Sequence, residues 1–159
     1  MKVLAIDPGY DRLGVAIMEY VNGKEHLVFS DCVLTDKKSS LPDRLFTVGI
    51  AVADLIKKHK PDTVAIETLF FNKNIKTAIG VAQARGIIIY LAKQAGCEVR
   101  EFGPQEIKVA VTGYGNASKT AVFDMVNRLV PNVPQTALDD EYDAIAVGIT
   151  CLAQFGRTQ

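Results

Sequence analysis

The opening strand constrains this chain more than any other stretch. Lys2-Val3-Leu4-Ala5-Ile6-Asp7 carries four consecutive apolar residues and ends in a carboxylate. An unbroken run of this kind suits a strand covered on both faces at the centre of a sheet, so Asp7 is expected on the most rigid part of the fold. Pro8 fixes φ and lacks an N–H, while Gly9 permits backbone conformations that other residues avoid, and the chain is expected to turn sharply there. A second apolar run, Leu13 to Met18, follows at once. Together these read as a hairpin that delivers one carboxylate to a sheet edge. A lone Asp-Pro-Gly also occurs as a solvated turn or a helix cap, so the weight given to Asp7 depends on what lies downstream.

At 159 residues, with 48% hydrophobic and 23% charged residues, the chain is expected to form one globular domain over 1–159 with a substantial core. No apolar run approaches the ~20 residues needed to span a bilayer, and Met1-Lys2 leads into a core strand rather than a signal peptide, which predicts a cytoplasmic protein. Cys32, Cys97 and Cys151 are odd in number, widely spaced and set in apolar surroundings, the pattern of buried free thiols. They indicate neither a disulfide framework nor a zinc site. The net charge of zero argues weakly against a nucleic-acid partner unless the charges are unevenly distributed.

Asn22-Gly23 is a two-residue turn signal, and His26 to Leu34 supplies a third strand, giving three consecutive antiparallel strands. Ser40-Leu41-Pro42 opens a helix with Leu45, Val48, Val52, Leu55 and Ile56 on one face, ended by His59-Lys60-Pro61. Thr63 to Glu67 repeats the opening pattern, an apolar run closed by an acid. A strand returning after a helical crossover lies parallel to an existing one, and beside the first strand it would set Glu67 next to Asp7. Leu69 to Asn74 is a loop with two aromatics among lysine and amides. A long helix is expected from about Ile75 to Ala95, stopped by Gly96, then a strand over Cys97 to Phe102 and a helix from Gly103-Pro104 through Val111. The glycine-rich loop Thr112 to Lys119 places Ser118 or Asn116 to cap the helix carrying Val122, Met125, Val126 and Leu129. The last helix runs from near Leu138 to about Phe155, with Asp139, Asp140, Glu141 and Asp143 at its start.

Asp140 and Asp143, three apart, share a helix face. Acids in a first turn are favoured by the helix dipole alone. The combination is more specific: two acids ending two buried strands, and an i, i+3 acidic pair opening a C-terminal helix. Four carboxylates brought together repel one another and raise each other's pKa unless cations neutralise them, and Mg²⁺ is a natural oxygen-bound neutraliser.

The element order resembles the ribonuclease H-like fold: a mixed five-stranded sheet, three strands antiparallel and two parallel, flanked by helices. DPG at 7–9, ETLFFNKN at 67–74, AQARG at 82–86, IKVAVTGYGNASK at 107–119 and DEYDAIAVGITC at 140–151 together resemble the RuvC family of bacterial Holliday-junction resolvases. The resemblance covers nearly the whole chain, and the five blocks fall in the family's order. It implies a metal-dependent crossover junction endodeoxyribonuclease of recombination and repair that nicks two strands symmetrically, leaving 5′-phosphate and 3′-hydroxyl ends. Asp7, Glu67, Asp140 and Asp143 match the family's metal-binding acids, for two Mg²⁺ ions with Mn²⁺ as substitute. Asp139 is an adjacent rival to Asp140, whose spacing to Asp143 fits the family's pattern. Phe70 matches an aromatic that contacts unstacked bases, a role worth roughly 1–3 kcal/mol per base, and Lys108 and Lys119 match lysines near the scissile phosphate. The family also implies a homodimer acting on a four-way junction with the RuvA and RuvB branch-migration proteins.

Between Phe70 and Arg128, the basic Lys73, Lys76, Arg85, Lys93, Arg100, Lys108, Lys119 and Arg128 outweigh Glu98, Glu101, Glu106 and Asp124. A DNA-binding face including Lys73, Lys76 and Arg85 is therefore expected around an acidic pocket, with salt-sensitive affinity. Ala78, Gly80, Ala82, Ala84 and Gly86 on the long helix suit either a close-packed interface between copies or packing on the helix's own sheet. Three other readings remain: a nuclease of the same fold acting on a different nucleic acid, a catalytically silent junction-binding module, and an ATP-binding relative of the actin and sugar-kinase type. The paired aspartates opening the last helix speak against the last.

Overall fold

The computed structural model describes residues 1–68 and 75–156, the side chains of Ile75 and Lys76 excepted. Its elements are β1 (Lys2–Asp7), β2 (Arg12–Val21), β3 (Lys24–Leu34), α1 (Leu41–His59), β4 (Thr63–Glu67), α2 (Ile75–Gln94), β5 (Glu98–Phe102), α3 (Pro104–Thr112), α4 (Lys119–Leu129) and α5 (Asp139–Phe155). The strands form one sheet in the order β3-β2-β1-β4-β5. β1 pairs antiparallel with β2 and parallel with β4, β2 pairs antiparallel with β3, and β4 pairs parallel with β5. β1 is thus the central strand, as its unbroken apolar run requires.

Successive residues of β1 serve opposite faces of the sheet. Val3 and Ala5, with Ala16, Met18 and Ala65, pack against α5, α3 and α4. Leu4 and Ile6, with Val15, Ile17, Val64 and Ile66, pack against α1 and α2. The α5 side is lined by small residues because the helix lies very close to it. A Cβ on Gly148 would stand 2.5 Å from the Met18 sulfur and 3.2 Å from the Ala5 Cβ, so only glycine lets α5 approach this far.

Turns and caps follow local chemistry. Asn22 and Gly23 both take positive φ, 51° and 80°, as a tight hairpin between twisted strands demands. Ser40 caps α1, its Oγ accepting from the Asp43 amide at 3.3 Å, and Ser118 caps α4, accepting from the Ala121 amide at 3.1 Å. Gly96, at φ 80°, ends α2 with its N–H donating to the Lys93 carbonyl. Gly9 departs from expectation, because it is not among the positive-φ residues. Its requirement is steric: a Cβ there would fall on the Arg12 carbonyl. Cys32, Cys97 and Cys151 are buried free thiols. Among the described residues no helix is long and apolar enough to cross a membrane.

Candidate active site

The two-residue period of the strands decides where Asp7 and Glu67 point. Val3 and Ala5 face α5, so Asp7 does too, and Ala65 carries Glu67 to the same side. Ile6 lies opposite Ile66 in the parallel pairing, so the two acids end adjacent strands at the same level. Gly14, opposite Asp7 in the antiparallel pairing, brings the third element in. A Cβ on Gly14 would fall on the Asp140 carbonyl, so the first turn of α5 rests directly on the β2 backbone.

The acids of that turn then separate by role. Glu141 is buried and turned away from the cluster: it accepts from the Leu138 amide at 3.0 Å and from Ser30 Oγ at 2.8 Å, capping α5 and tying it to β3. Asp139 is 68% exposed at its side chain, whereas Asp140 is 22% and Asp143 33%. Burial, then Glu67, Asp143 and Asp140, pushes Asp7 up to about 8, with Lys119 pulling the other way. Asp139 is not among the carboxylates acting on Asp7, which favours Asp140 over its neighbour. Burial, then Asp143, pushes Glu67 up to about 7, and burial raises Asp143 against the pull of Lys119. Lys119 Nζ stands 3.2 Å from Asp143 Oδ2 and 3.4 Å from Asp139 Oδ2. Glu67, Asp143, Lys108 and Lys119 line one cavity of about 260 Å³, floored by Ile107 and Val122.

The chemistry of this donor set is plain. Four half-buried carboxylates from three elements present hard oxygen donors, the kind that Mg²⁺ and Mn²⁺ take, and burial together with the neighbouring carboxylates holds two of them far above their ordinary pKa. Among the described residues no three His, Cys, Asp or Glu side chains stand close enough together to hold a metal ion as they are placed. Instead Lys119 holds Asp143, and the Arg12 guanidinium is paired with Asp140.

Two arginines of the expected basic stretch have partners within the chain. Arg85 pairs with Glu101, its side chain is 17% exposed, and the pair ties α2 to β5. Arg100 pairs with Glu98 at 2.6 Å and covers the Phe155 ring. Both guanidiniums have a carboxylate partner within the chain. Phe70 and Lys73 lie outside the described residues, as does the Lys76 side chain.

Two features are not apparent from the sequence pattern. One is Arg12. The other is a buried network behind the Asp7 turn: Arg44, 9% exposed, donates through Nε to Thr35 Oγ1 at 3.0 Å, pairs with Asp11 and covers the Tyr10 ring at 4.9 Å. Thr35 Oγ1 donates to the Tyr10 carbonyl at 2.6 Å, and the Tyr10 ring fills the space beside Gly80 of α2. Arg44 does leave a signal, since it precedes Val48, Val52 and Ile56 at four-residue spacing, a charge on a buried stripe.

Comparison with known proteins places this geometry. The family model described as "Crossover junction endodeoxyribonuclease RuvC" matches residues 3–151. A crossover junction endodeoxyribonuclease RuvC of Moorella thermoacetica is 40% identical over 155 residues, covering 98% of this chain and 92% of that protein. Thermus thermophilus RuvC in complex with Holliday junction substrate superposes with a TM-score of 0.90 at 28% identity, over 97% of this chain and 94% of that one. The yeast mitochondrial Holliday junction resolvase, at 14% identity and a TM-score of 0.68 over 95% of this chain and 77% of that one, shares the fold. The expected ribonuclease H-like architecture is the one observed.

Proposed function

The chain belongs to the RuvC family of crossover junction endodeoxyribonucleases, and from that premise we propose that it resolves four-way DNA junctions in recombination and repair, as one domain over 1–159, by metal-dependent nicking of two symmetric strands. One observation carries the reading: strand alternation, parallel register and the Gly14 contact bring Asp7, Glu67, Asp140 and Asp143 to one edge of the sheet. Asp7, Glu67, Asp140 and Asp143 hold two Mg²⁺ ions, for which Mn²⁺ can substitute. When bound, such ions lower the pKa of a water and offset charge on the entering and leaving oxygens of a phosphodiester.

The protein's own groups do the rest. The strand ends fix Asp7 and Glu67 on rigid backbone, so the carboxylates are placed before substrate arrives. Lys119 and Lys108 border the same cavity, and their ammonium groups offset charge developing on the phosphoryl oxygens. Hydrolysis breaks the bond from phosphorus to the 3′ oxygen, which takes a proton as the water oxygen joins phosphorus, leaving 3′-hydroxyl and 5′-phosphate ends. Phe70 is assigned to junction binding on the family's pattern, and Lys73, Lys76 and Arg85 on the local excess of basic residues.

Cutting two symmetric strands calls for two copies. The face suited to pairing lies between α1 and α2, where Phe46 is 70%, Tyr90 64% and Ile50 49% exposed around a groove of about 670 Å³. RuvA and RuvB are assigned as working partners on the family resemblance.

The test is cleavage of a synthetic four-way junction beside linear duplex, in Mg²⁺ and in EDTA. Paired symmetric nicks on the junction, only with metal, are expected. Equal cutting of duplex, or cutting in EDTA, would overturn the reading; junction binding without cleavage at any cation concentration would leave a silent binding module.

A further inference from the structure

The positive charges around the carboxylates are distributed unequally. Lys119 serves Asp143 and Asp139, and Arg12 serves Asp140. Among the described residues, Asp7 and Glu67 form no ion pair. The site therefore has two halves, a strand half whose acids form no direct ion pair and a helix half whose acids are paired with Lys119 and Arg12.

Arg12 is built into this position. It opens β2, two residues before Gly14, whose missing side chain lets the Asp140 backbone lie against the strand. The backbones that carry the guanidinium and the carboxylate are thus held in fixed proximity. The Arg12 side chain is 44% exposed, so it has an open route away from Asp140, while Asp140 is 22% exposed and remains in the site. Arg12 Nη2 is paired with Asp140 Oδ2, and a carboxylate lone pair engaged by a guanidinium N–H is not available to a metal ion.

We propose that Arg12 is a positioning residue that holds the Asp140 carboxylate in the unloaded site and must yield it to an incoming divalent cation, so that Arg12 sets the affinity of the helix half of the site. This rests on the reading of the four acids as a cation site. Two consequences follow. Cations bind in two steps, tighter at Asp7 and Glu67 and weaker where Arg12 has to be displaced. Removing Arg12 strengthens the weaker step, whereas removing a merely structural ion pair would leave it unchanged or weaken it.

The experiment is Mn²⁺ titration of the full metal-free chain without DNA, by calorimetry and by the electron paramagnetic resonance signal of free Mn²⁺. Arg12→Gln is expected to tighten the weaker step roughly two- to fivefold, the range of a partly exposed ion pair. Arg12→Lys, which keeps a charge but not the guanidinium, falls between the two. In an Asp140→Asn background, Arg12→Gln has no effect, because the residue acts through Asp140. An unchanged or weakened step in Arg12→Gln, or the same gain with Asp140→Asn present, overturns the inference. Failure of the parent chain to bind Mn²⁺ at all overturns the cation-site reading beneath it.

Discussion

α2 and α5 are both apolar most of the way round, yet the fold treats them differently. Every residue of α5 from Ala144 to Leu152 is buried, because the sheet covers one side and α3 and α4 the other. α2 is covered on one side only. Gly80, Ala84, Ile88 and Ala92, four apart, face the sheet, while Ile79, Gln83, Gly86 and Tyr90 follow one another along the open side. A helix that is apolar all round is stable only where it is enclosed. α5 is enclosed by its own chain and carries the acids; α2 leaves an apolar stripe beside Phe46 and Ile50 of α1, which a second copy would complete. One helix is enclosed and carries two of the proposed cation ligands; the other is left open where the proposed second copy would sit.

The sharpest way to separate the two is at the acids themselves. Asp7→Asn keeps the shape of the side chain but removes the charge on which the cation site depends. Junction cleavage is expected to fall roughly 10³-fold, the scale of losing one preorganised electrostatic group, with dimer mass by sedimentation unchanged. A loss of dimer instead would mean that the two helices are not independent. Overfilling α5 is the next largest effect. Gly148→Leu would drive a side chain into Met18 and Ala5, costing about 3 kcal/mol of stability in urea denaturation. A neutral result would show that α5 is less tightly held than its contacts imply.

Much of this difference is legible in the order of residues alone. The apolar runs ending in Asp7 and Glu67 reveal both the sheet centre and the acids, because burial of a strand is a local pattern. The i, i+3 spacing does the same for Asp140 and Asp143. What stays hidden is the choice of partners between distant segments. Arg85 counts as a free basic residue until α2 and β5 meet and Glu101 takes it. Arg12 looks like a turn residue until Gly14 brings Asp140 beside it. On α2 the small residues look alike in sequence, but Gly80 and Ala84 pack inward, whereas Gly86 has nothing within 4 Å. Period alone cannot say which of two apolar faces meets the sheet.

The pH dependence of stability sharpens the contrast at the acidic end. Folded and without metal, Asp7 and Glu67 keep protons up to about pH 8 and 7, against ordinary values of 3.8 and 4.5 when unfolded. The folded state therefore binds more protons between these limits. The stabilisation is complete below about pH 4 and is lost as pH climbs through 7 and 8. The metal-free Tm is expected to drop roughly 5–10 °C from pH 6 to pH 9. Mg²⁺ should restore most of it at pH 9 and little at pH 6. A flat profile would mean that the acids are not crowded as described.

The smallest effect probes the open side of α2. Gly86 is helical, with no neighbour within 4 Å of where its Cβ would stand. In a monomer, Gly86→Ala should stabilise by about 0.5–1 kcal/mol, because alanine loses less backbone entropy in a helix. If a second copy packs close against this stripe, the added methyl meets it, and association weakens while the isolated chain gains. Urea denaturation at low protein concentration reads the first effect, and sedimentation at high concentration reads the second. Opposite signs in the two measurements would place Gly86 at the contact between copies; a gain in both would move the contact elsewhere on the groove, toward Phe46 and Ile50. The same glycine-to-alanine change at Gly148 destabilises at any concentration, since the space beside it is already taken by the chain's own sheet.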